Sequence, residues 1–109
     1  MTGTTVQDIT GAAGTVVVTG GGRGLGYAIA EKLGRDGHRV VIAERNPDTA
    51  AAAEKSLCAN GFDAVAVVTD IADVASVCAL AERLERSGDQ VVGLVNNAAI
   101  ADGVGGATF

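Results

Sequence analysis

A glycine-rich segment between an apolar run and a helical pattern constrains the fold of this chain more than any other feature. Val16, Val17 and Val18 are β-branched, and such a run between small residues is typical of a strand buried on both faces. Glycines follow at positions 20, 21, 22 and 24, and an apolar helical pattern begins near Leu25. The first backbone N–H groups of a helix have no partner within it, so this arrangement predicts an anion site.

The spacing of these glycines distinguishes between the known kinds of phosphate loop. The pattern G-x-G-x-x-G is not met, because its last position falls on Leu25 or Tyr27, and no Gly-Lys-Ser/Thr follows to complete a Walker loop. The segment Thr19–Gly26 does meet T-G-x-x-x-G-x-G. Glycine is needed where a pyrophosphate approaches the backbone closely. The segment therefore favours a dinucleotide loop, with an ordinary structural turn as the alternative.

The rest of the chain alternates short apolar runs with helical patterns. Strands are expected at about 15–19, 39–43, 63–68 and 91–95, and helices at about 25–36, 47–60 and 73–88. This alternation is typical of α/β proteins with a parallel sheet. Right-handed crossovers predict a Rossmann-type doubly wound sheet of strand order 3-2-1-4, with a nucleotide site between strands one and four.

The apolar spacing within the helices predicts which residues they bury. The first two helices are expected on one face of the sheet and the third on the other, leaving an apolar surface uncovered over strands one and four. Cys58 and Cys78 lack the spacing of zinc ligands, and we interpret both as buried helix residues, with no metal site expected. The predicted inward positions of the first and third helices are Leu25, Ala28, Ile29 and Leu33, and Val74, Val77, Cys78, Ala81 and Leu84.

Composition and charge exclude several function classes. The net charge is −5, and no basic cluster is present to neutralise phosphates, so nucleic acid is not an expected partner. The start of the chain lacks the cationic and apolar regions of a signal peptide, and no apolar run approaches the ~20 residues that span a bilayer. These observations favour a soluble, cytoplasmic protein without a membrane partner.

Three charged residues bear on the choice of dinucleotide. Glu44 ends the second predicted strand, where an acid can accept hydrogen bonds from the adenosine ribose of NAD and repel the 2′-phosphate of NADP. Arg45 and Arg23 could instead pair with that phosphate. NAD is therefore favoured, with NADP as the alternative cofactor. The alternative interpretations are that Glu44 is a solvated acid at a strand end and that Arg23 and Arg45 are ordinary surface charges.

Two further motifs stand at strand ends and complete a resemblance to a known family. Asp70-Ile71 follows the third strand and Asn96-Asn97-Ala98-Ala99 the fourth, although each could also be a helix-entry acid or a turn. With the glycine loop, they resemble the short-chain dehydrogenases/reductases over residues 14–101, with Ala99 in place of the family's glycine. The resemblance and the charges give these candidate cofactor-binding residues: Gly20, Gly22, Arg23, Gly24, Leu25, Gly26, Glu44, Arg45, Asp70, Ile71, Asn96, Asn97 and Ala98.

The resemblance implies hydride transfer between a nicotinamide and an alcohol or carbonyl substrate, in a parent enzyme expected to be a homo-oligomer. The family's Ser/Tyr/Lys residues lie beyond the Asn-Asn-Ala-Gly motif. The single tyrosine, Tyr27, has Glu31 where the Tyr-x-x-x-Lys pair requires lysine. No catalytic residue is assigned, and the expectation is the truncated cofactor half of an enzyme, unable to catalyse alone. A non-catalytic dinucleotide-binding module and an α/β domain without a ligand remain the alternatives.

These expectations divide the chain into three parts. Residues 1–13 are expected to form a flexible tail and residues 14–101 an NAD(P)-binding Rossmann unit. The remainder, 102–109, is expected to be a glycine-rich end at which the fold is cut short.

Overall fold

The computed structural model of this protein describes residues 14–98. The expected tail at 1–13, the glycine-rich end at 102–109 and Ala99 lie outside the described residues. The strands are β1 (Thr15–Thr19), β2 (Arg39–Glu44), β3 (Ala64–Val68) and β4 (Val91–Asn96). The helices are α1 (Gly24–Arg35), α2 (Pro47–Ala59) and α3 (Val74–Ser87).

The four strands form one parallel sheet in the order β3-β2-β1-β4, as predicted from the sequence. In the register of the central pair, Val17 lies opposite Val41, and β4 runs along the other side of β1 with an irregularity between Thr15 and Val16. The carboxyl ends of all four strands therefore lie at one edge of the molecule. The strand order reverses there between β1 and β4, which is where nucleotides bind in sheets of this kind.

The helices cover the two faces of the sheet as expected, because alternate strand residues point to opposite faces. Helices α1 and α2 and one strand face form a core of Val16, Val18, Ala30, Val40, Ile42, Ala53, Leu57 and Ala64. The opposite face packs on α3 through Val17, Val41, Ala43 and Leu80.

The predicted uncovered surface is present at β4 but not at β1. Val92 and Leu94 are 55% and 64% exposed, whereas Val17 is only 5% exposed. The expectation for strand one is therefore wrong, because α3 and its neighbours already cover the Val17 side of the sheet.

The buried sides of two helices also differ from the prediction. In α1 the buried residues are Gly26 and Ala30, whereas Leu25 is 70% exposed. In α3 the buried residue is Leu80, with Leu84 packed partly beside it. Small residues allow α1 to lie close to the sheet, and no described residue covers the apolar flank of α3. Periodicity indicates that an apolar flank exists but not which element covers it. The α3 residues that were expected inside and are exposed are Val74, Val77, Cys78 and Ala81.

Both cysteines are exposed, so the expectation that they are buried is wrong. They do lie on helices, as predicted, and Cys58 donates a hydrogen bond from its thiol to the Ala64 carbonyl at 3.3 Å. Within residues 14–98, no helix is both long enough and apolar enough to cross a membrane.

Candidate functional site

A cleft of about 520 Å³ opens at the carboxyl ends of the strands. Its walls come from the β1–α1, β2–α2 and β3–α3 connections and from the residues that follow β4. The lining residues are Gly20, Arg23, Leu25, Ala43, Glu44, Arg45, Thr69, Asp70, Ile71, Ala72, Asn97 and Ala98. The fold thus gathers the ends of four separate segments around one space.

Most of the residues singled out in the sequence lie on this cleft, and four do not. Gly22, Gly24, Gly26 and Asn96 are absent from its lining. Conversely, Ala43, Thr69 and Ala72 line it without having been predicted. Ala43 and Thr69 adjoin Glu44 and Asp70 in sequence, and Ala72 follows Asp70 two positions later, so closeness in sequence to a strand-end acid is a signal that could have identified them.

The backbone of the glycine loop packs closely against the residues after β4 and leaves no room for a side chain at Gly26. A Cβ on Gly26 would collide with the Gly20 carbonyl and lie 2.6 Å from Asn97 Nδ2, so this position has no room for a side chain. Gly24 has φ +61° and open space around its Cβ position. Because a left-handed φ disfavours other residues, glycine at 24 is required by the turn and not by packing. The loop therefore leaves its outer surface open at the start of α1.

The N-terminus of α1 differs from those of the other helices. The side chain of Asn46 accepts hydrogen bonds from Asp48 N and Thr49 N at the start of α2. Asp73 accepts from Ala75 N, so it is the N-cap of α3 and not a residue of its first turn. Arg23 precedes α1 without a side-chain cap. The first N–H groups of α1 thus remain available to an anion.

Glu44 is held at the edge of the cleft by two backbone groups. Its Oε1 accepts a hydrogen bond from Gly22 N and its Oε2 one from Asn46 N, both at 3.2 Å. The carboxylate thus joins the glycine loop to the β2–α2 connection. Arg23 and Arg45 lie on the same cleft and take part in no ion pair among residues 14–98.

The end of β4 is tied to the end of β1 through Thr19. The buried Thr19 hydroxyl accepts hydrogen bonds from Asn97 N and Ala98 N, both at 3.0 Å. Asn97 Nδ2 donates to the Gly20 carbonyl at 3.2 Å. In the sequence, Thr19 stands out only as the first residue of the pattern T-G-x-x-x-G-x-G. Its contacts explain why a hydroxyl belongs there, because it joins the glycine loop to the Asn-Asn-Ala segment.

Asp70 shapes the third wall of the cleft. Its Oδ1 accepts a hydrogen bond from Ala72 N at 2.9 Å, while its own N–H donates to Ser76 Oγ at 2.8 Å. The Asp70 carboxylate therefore holds the turn before α3, whose N-cap is Asp73, and Asp70 lies on the cleft together with Ile71.

Comparison with known proteins identifies the family. The profile of the short chain dehydrogenases matches residues 14–108, so the chain belongs to this family of oxidoreductases. It is 41% identical over 92 residues to 1-deoxy-11-beta-hydroxypentalenate dehydrogenase of Streptomyces avermitilis, with 84% of this chain and 34% of that protein covered.

Solved structures agree on the fold. The actinorhodin polyketide ketoreductase with NADPH superposes with a TM-score of 0.74 at 35% identity, over 80% of this chain and 33% of that one. A short chain dehydrogenase/reductase from Burkholderia phymatum in complex with NAD superposes with a TM-score of 0.74 at 38% identity, over 80% and 31% of the two chains. The chain thus spans about one third of the length of these relatives.

Proposed function

We propose that this chain binds a nicotinamide dinucleotide in the cleft at the carboxyl ends of the strands, as the cofactor half of an oxidoreductase. The observation that carries the proposal is the uncapped N-terminus of α1, which follows the glycine loop directly, while α2 and α3 both have side-chain caps. A pyrophosphate satisfies unpaired N–H groups at such a helix start. Structures of relatives with NADPH and with NAD support the same class of ligand.

Each wall of the cleft is assigned to one part of the dinucleotide. The glycine loop with Arg23 and Leu25 receives the pyrophosphate, and Glu44 with Arg45 lies at the adenosine ribose. Asp70 and Ile71 contact the adenine, and the segment Asn96-Asn97-Ala98 lies on the adenosine side, with Asn97 and Ala98 on the cleft lining, as the family resemblance implies. Support comes from the lining of the cleft, which brings most of these residues around one space. We place the limits of this NAD(P)-binding unit at residues 14–101.

Among the two dinucleotides, the proposal favours NAD. Glu44 carries a negative charge at the cleft, and its two backbone hydrogen bonds keep the carboxylate there. A carboxylate can accept hydrogen bonds from two ribose hydroxyls and repels a phosphate at the 2′ position.

The reaction proposed for the whole protein is hydride transfer between an alcohol or carbonyl substrate and the nicotinamide, which supplies the hydride when bound in reduced form. Within residues 14–98, Tyr27 is not part of the cleft lining, and its hydroxyl lies 2.6 Å from Ser56 Oγ on α2. We therefore assign Tyr27 no role in proton transfer and propose that the 109-residue chain does not catalyse by itself. An NADH-oxidation assay with carbonyl substrates tests this, and turnover by the chain alone would refute it.

The binding site is tested by fluorescence titration of NADH into a Gly24→Val variant. A side chain at Gly24 enters the open space beside the start of α1, and binding is expected to be lost. The matched control is Gly37→Val, because Gly37 also has a left-handed φ and open space, but lies after the other end of α1. Loss of binding in both variants, or in neither, would contradict the assignment.

The cofactor preference is tested with Glu44→Ala. Removing the carboxylate is expected to weaken NADH binding. The affinity for NADPH is expected to rise relative to the affinity for NADH. If the unmodified protein already prefers NADPH, then Arg45 or Arg23 governs the choice and the assignment of Glu44 is wrong.

A further inference from the structure

We propose that Gly22 is a positioning residue for cofactor choice: its N–H group and its lack of a side chain hold the Glu44 carboxylate where it selects NAD over NADP. This inference rests on the proposed function. It concerns a residue that does not line the cleft but contacts the acidic side chain at its edge.

Two backbone N–H groups hold the Glu44 carboxylate. Each carboxylate oxygen receives one backbone N–H, from Gly22 and from Asn46, at 3.2 Å in both cases. These two donors belong to different loops, so they determine the orientation of the carboxylate and not only its position. A carboxylate has about four acceptor sites, and two therefore remain for ribose hydroxyls.

Gly22 leaves no room for a side chain beside the Glu44 carboxylate as it now lies. A Cβ on Gly22 would lie 2.7 Å from Glu44 Oε1 and 2.5 Å from Thr49 Cγ2. Both atoms end side chains that can rotate. Gly22 is not among the glycines with a positive φ, so its backbone conformation is open to other residues. A substitution there should therefore displace the Glu44 carboxylate and leave the loop backbone in place.

Positive charge lies on the same cleft as the Glu44 carboxylate. Arg23 and Arg45 line the same cleft and form no ion pair among residues 14–98. Once Glu44 is displaced, these two guanidinium groups dominate this end of the cleft. A guanidinium binds phosphate oxygens with paired N–H groups, so the balance should then shift toward the 2′-phosphate of NADP.

The test compares NADH and NADPH affinities of Gly22→Ala with those of the unmodified chain. We expect the ratio of NADH affinity to NADPH affinity to fall about tenfold, because a charged hydrogen-bonding group is displaced. The matched control is Gly21→Ala, which adds the same methyl group to the same loop. Its Cβ would face Val18 and Ile42 at 3.2 Å and not Glu44, so the ratio should stay unchanged.

A double-mutant cycle shows whether Gly22 acts through Glu44. In a Glu44→Ala background, Gly22→Ala is expected to leave the affinity ratio unaltered, because the group that it displaces is already gone. An equal loss of both affinities in Gly22→Ala, or the same change of ratio with and without Glu44, would overturn the inference.

A second pair of variants reaches the carboxylate from its other side and covers the case in which Gly22→Ala does not fold. Asn46→Pro removes the N–H that binds Glu44 Oε2 together with the α2 cap, whereas Asn46→Ala removes the cap alone. Only the proline variant should lower the ratio of NADH affinity to NADPH affinity. Equal ratios in the proline and alanine variants would overturn the inference.

If the unmodified chain binds neither dinucleotide, the proposed function itself fails. If it prefers NADH and neither variant changes the ratio, only the role of Gly22 fails.

Discussion

The two edges of the sheet differ, because helix α2 covers the β3 edge and the β4 edge is open among residues 14–98. At β3, helix α2 covers the edge with two side chains one turn apart: Glu54 accepts a hydrogen bond from Ala66 N at 2.7 Å, and the Cys58 thiol donates to the Ala64 carbonyl at 3.3 Å. At β4, no strand or side chain among residues 14–98 bonds to the outer backbone groups, and Val92 and Leu94 are largely exposed.

This difference shows that one edge is completed by the described unit and the other is not. Unpaired N–H and C=O groups on an edge strand invite another strand, and proteins commonly block them with side chains or a covering element. The α2 side chains block β3 in this way. The open edge lies at β4, next to the point where the strand order reverses. The relatives are about three times as long as the matched region.

The amino-terminal ends of the strands link the two edges. Arg39 at the start of β2 bonds to Asp63 before β3 at 2.7 Å and to Asp89 before β4 at 2.8 Å. The Asp89 side chain is 6% exposed and also accepts hydrogen bonds from Thr15 and Ser87. Asp89 therefore anchors the segment that leads into the open edge.

The largest expected effect concerns the open edge. The 109-residue chain should self-associate at micromolar concentration, because β4 combines free backbone groups with exposed apolar side chains. Val92→Lys with Leu94→Lys should restore a monomer in sedimentation or light scattering. The matched control is Val68→Lys on the covered edge, which should not change association. If the unmodified chain is a stable monomer that binds no hydrophobic dye, the contrast between a covered β3 edge and an open β4 edge is wrong.

A smaller effect, on the free energy of unfolding, is expected when Asp89 before β4 is replaced. The hydrogen bonds from Ser87, Thr15 and Arg39, with the Arg39 charge, outweigh burial and lower the pKa of Asp89 below its ordinary value of 3.8. Asp89→Asn should cost about 2 kcal/mol of unfolding free energy at pH 7. A lowered folded-state pKa means that the carboxylate stabilises the fold above its ordinary pKa and ceases to do so as the pH falls through the lowered pKa.

Denaturant unfolding of both proteins between pH 7 and pH 2 measures this contribution. The difference in stability between the unmodified chain and the Asp89→Asn variant should be constant at neutral pH and should shrink as the pH falls below about 4. A difference that is independent of pH would show that the charge of Asp89 is not what anchors this segment.

At the covered edge, Glu54→Ala should reduce the unfolding free energy by about 1 kcal/mol, because the Ala66 N–H loses its acceptor. Hydrogen exchange at this amide should become faster. Glu54→Gln retains a side-chain oxygen and serves as the control, with exchange close to that of the unmodified chain. Unchanged protection of Ala66 in Glu54→Ala would show that α2 does not block this edge through Glu54.

The smallest effect is expected at Cys58. Cys58→Ala removes a weak thiol donor from an exposed position and should cost about 0.5 kcal/mol in thermal or chemical unfolding. Cys58→Ser supplies a hydroxyl donor and should recover most of the loss. If serine and alanine variants were equally stable, the thiol would contribute nothing to covering β3.

The sequence predicted the strands, their order and the helices to within about one residue at most ends, but not the buried sides of α1 and α3. Leu25 and Val74 belong to apolar spacings yet lie exposed, while Leu80 provides the contact of α3 with the sheet. An apolar position is buried only if another element covers it. Periodicity within one helix carries no information about that element.

For the candidate site, the residue types at the strand ends were readable from the sequence, whereas their contacts were not. The β-branched run of β1, the glycine loop and the Asn46 cap are local features, because each depends on residues a few positions apart. The hydrogen bonds of Glu44 with Gly22 and of Thr19 with Asn97 join residues 22 and 78 positions apart. Only the pairing of β1 with β2 and β4 brings these groups within hydrogen-bonding distance, so tertiary structure alone decided how the carboxylate and the two loops are held.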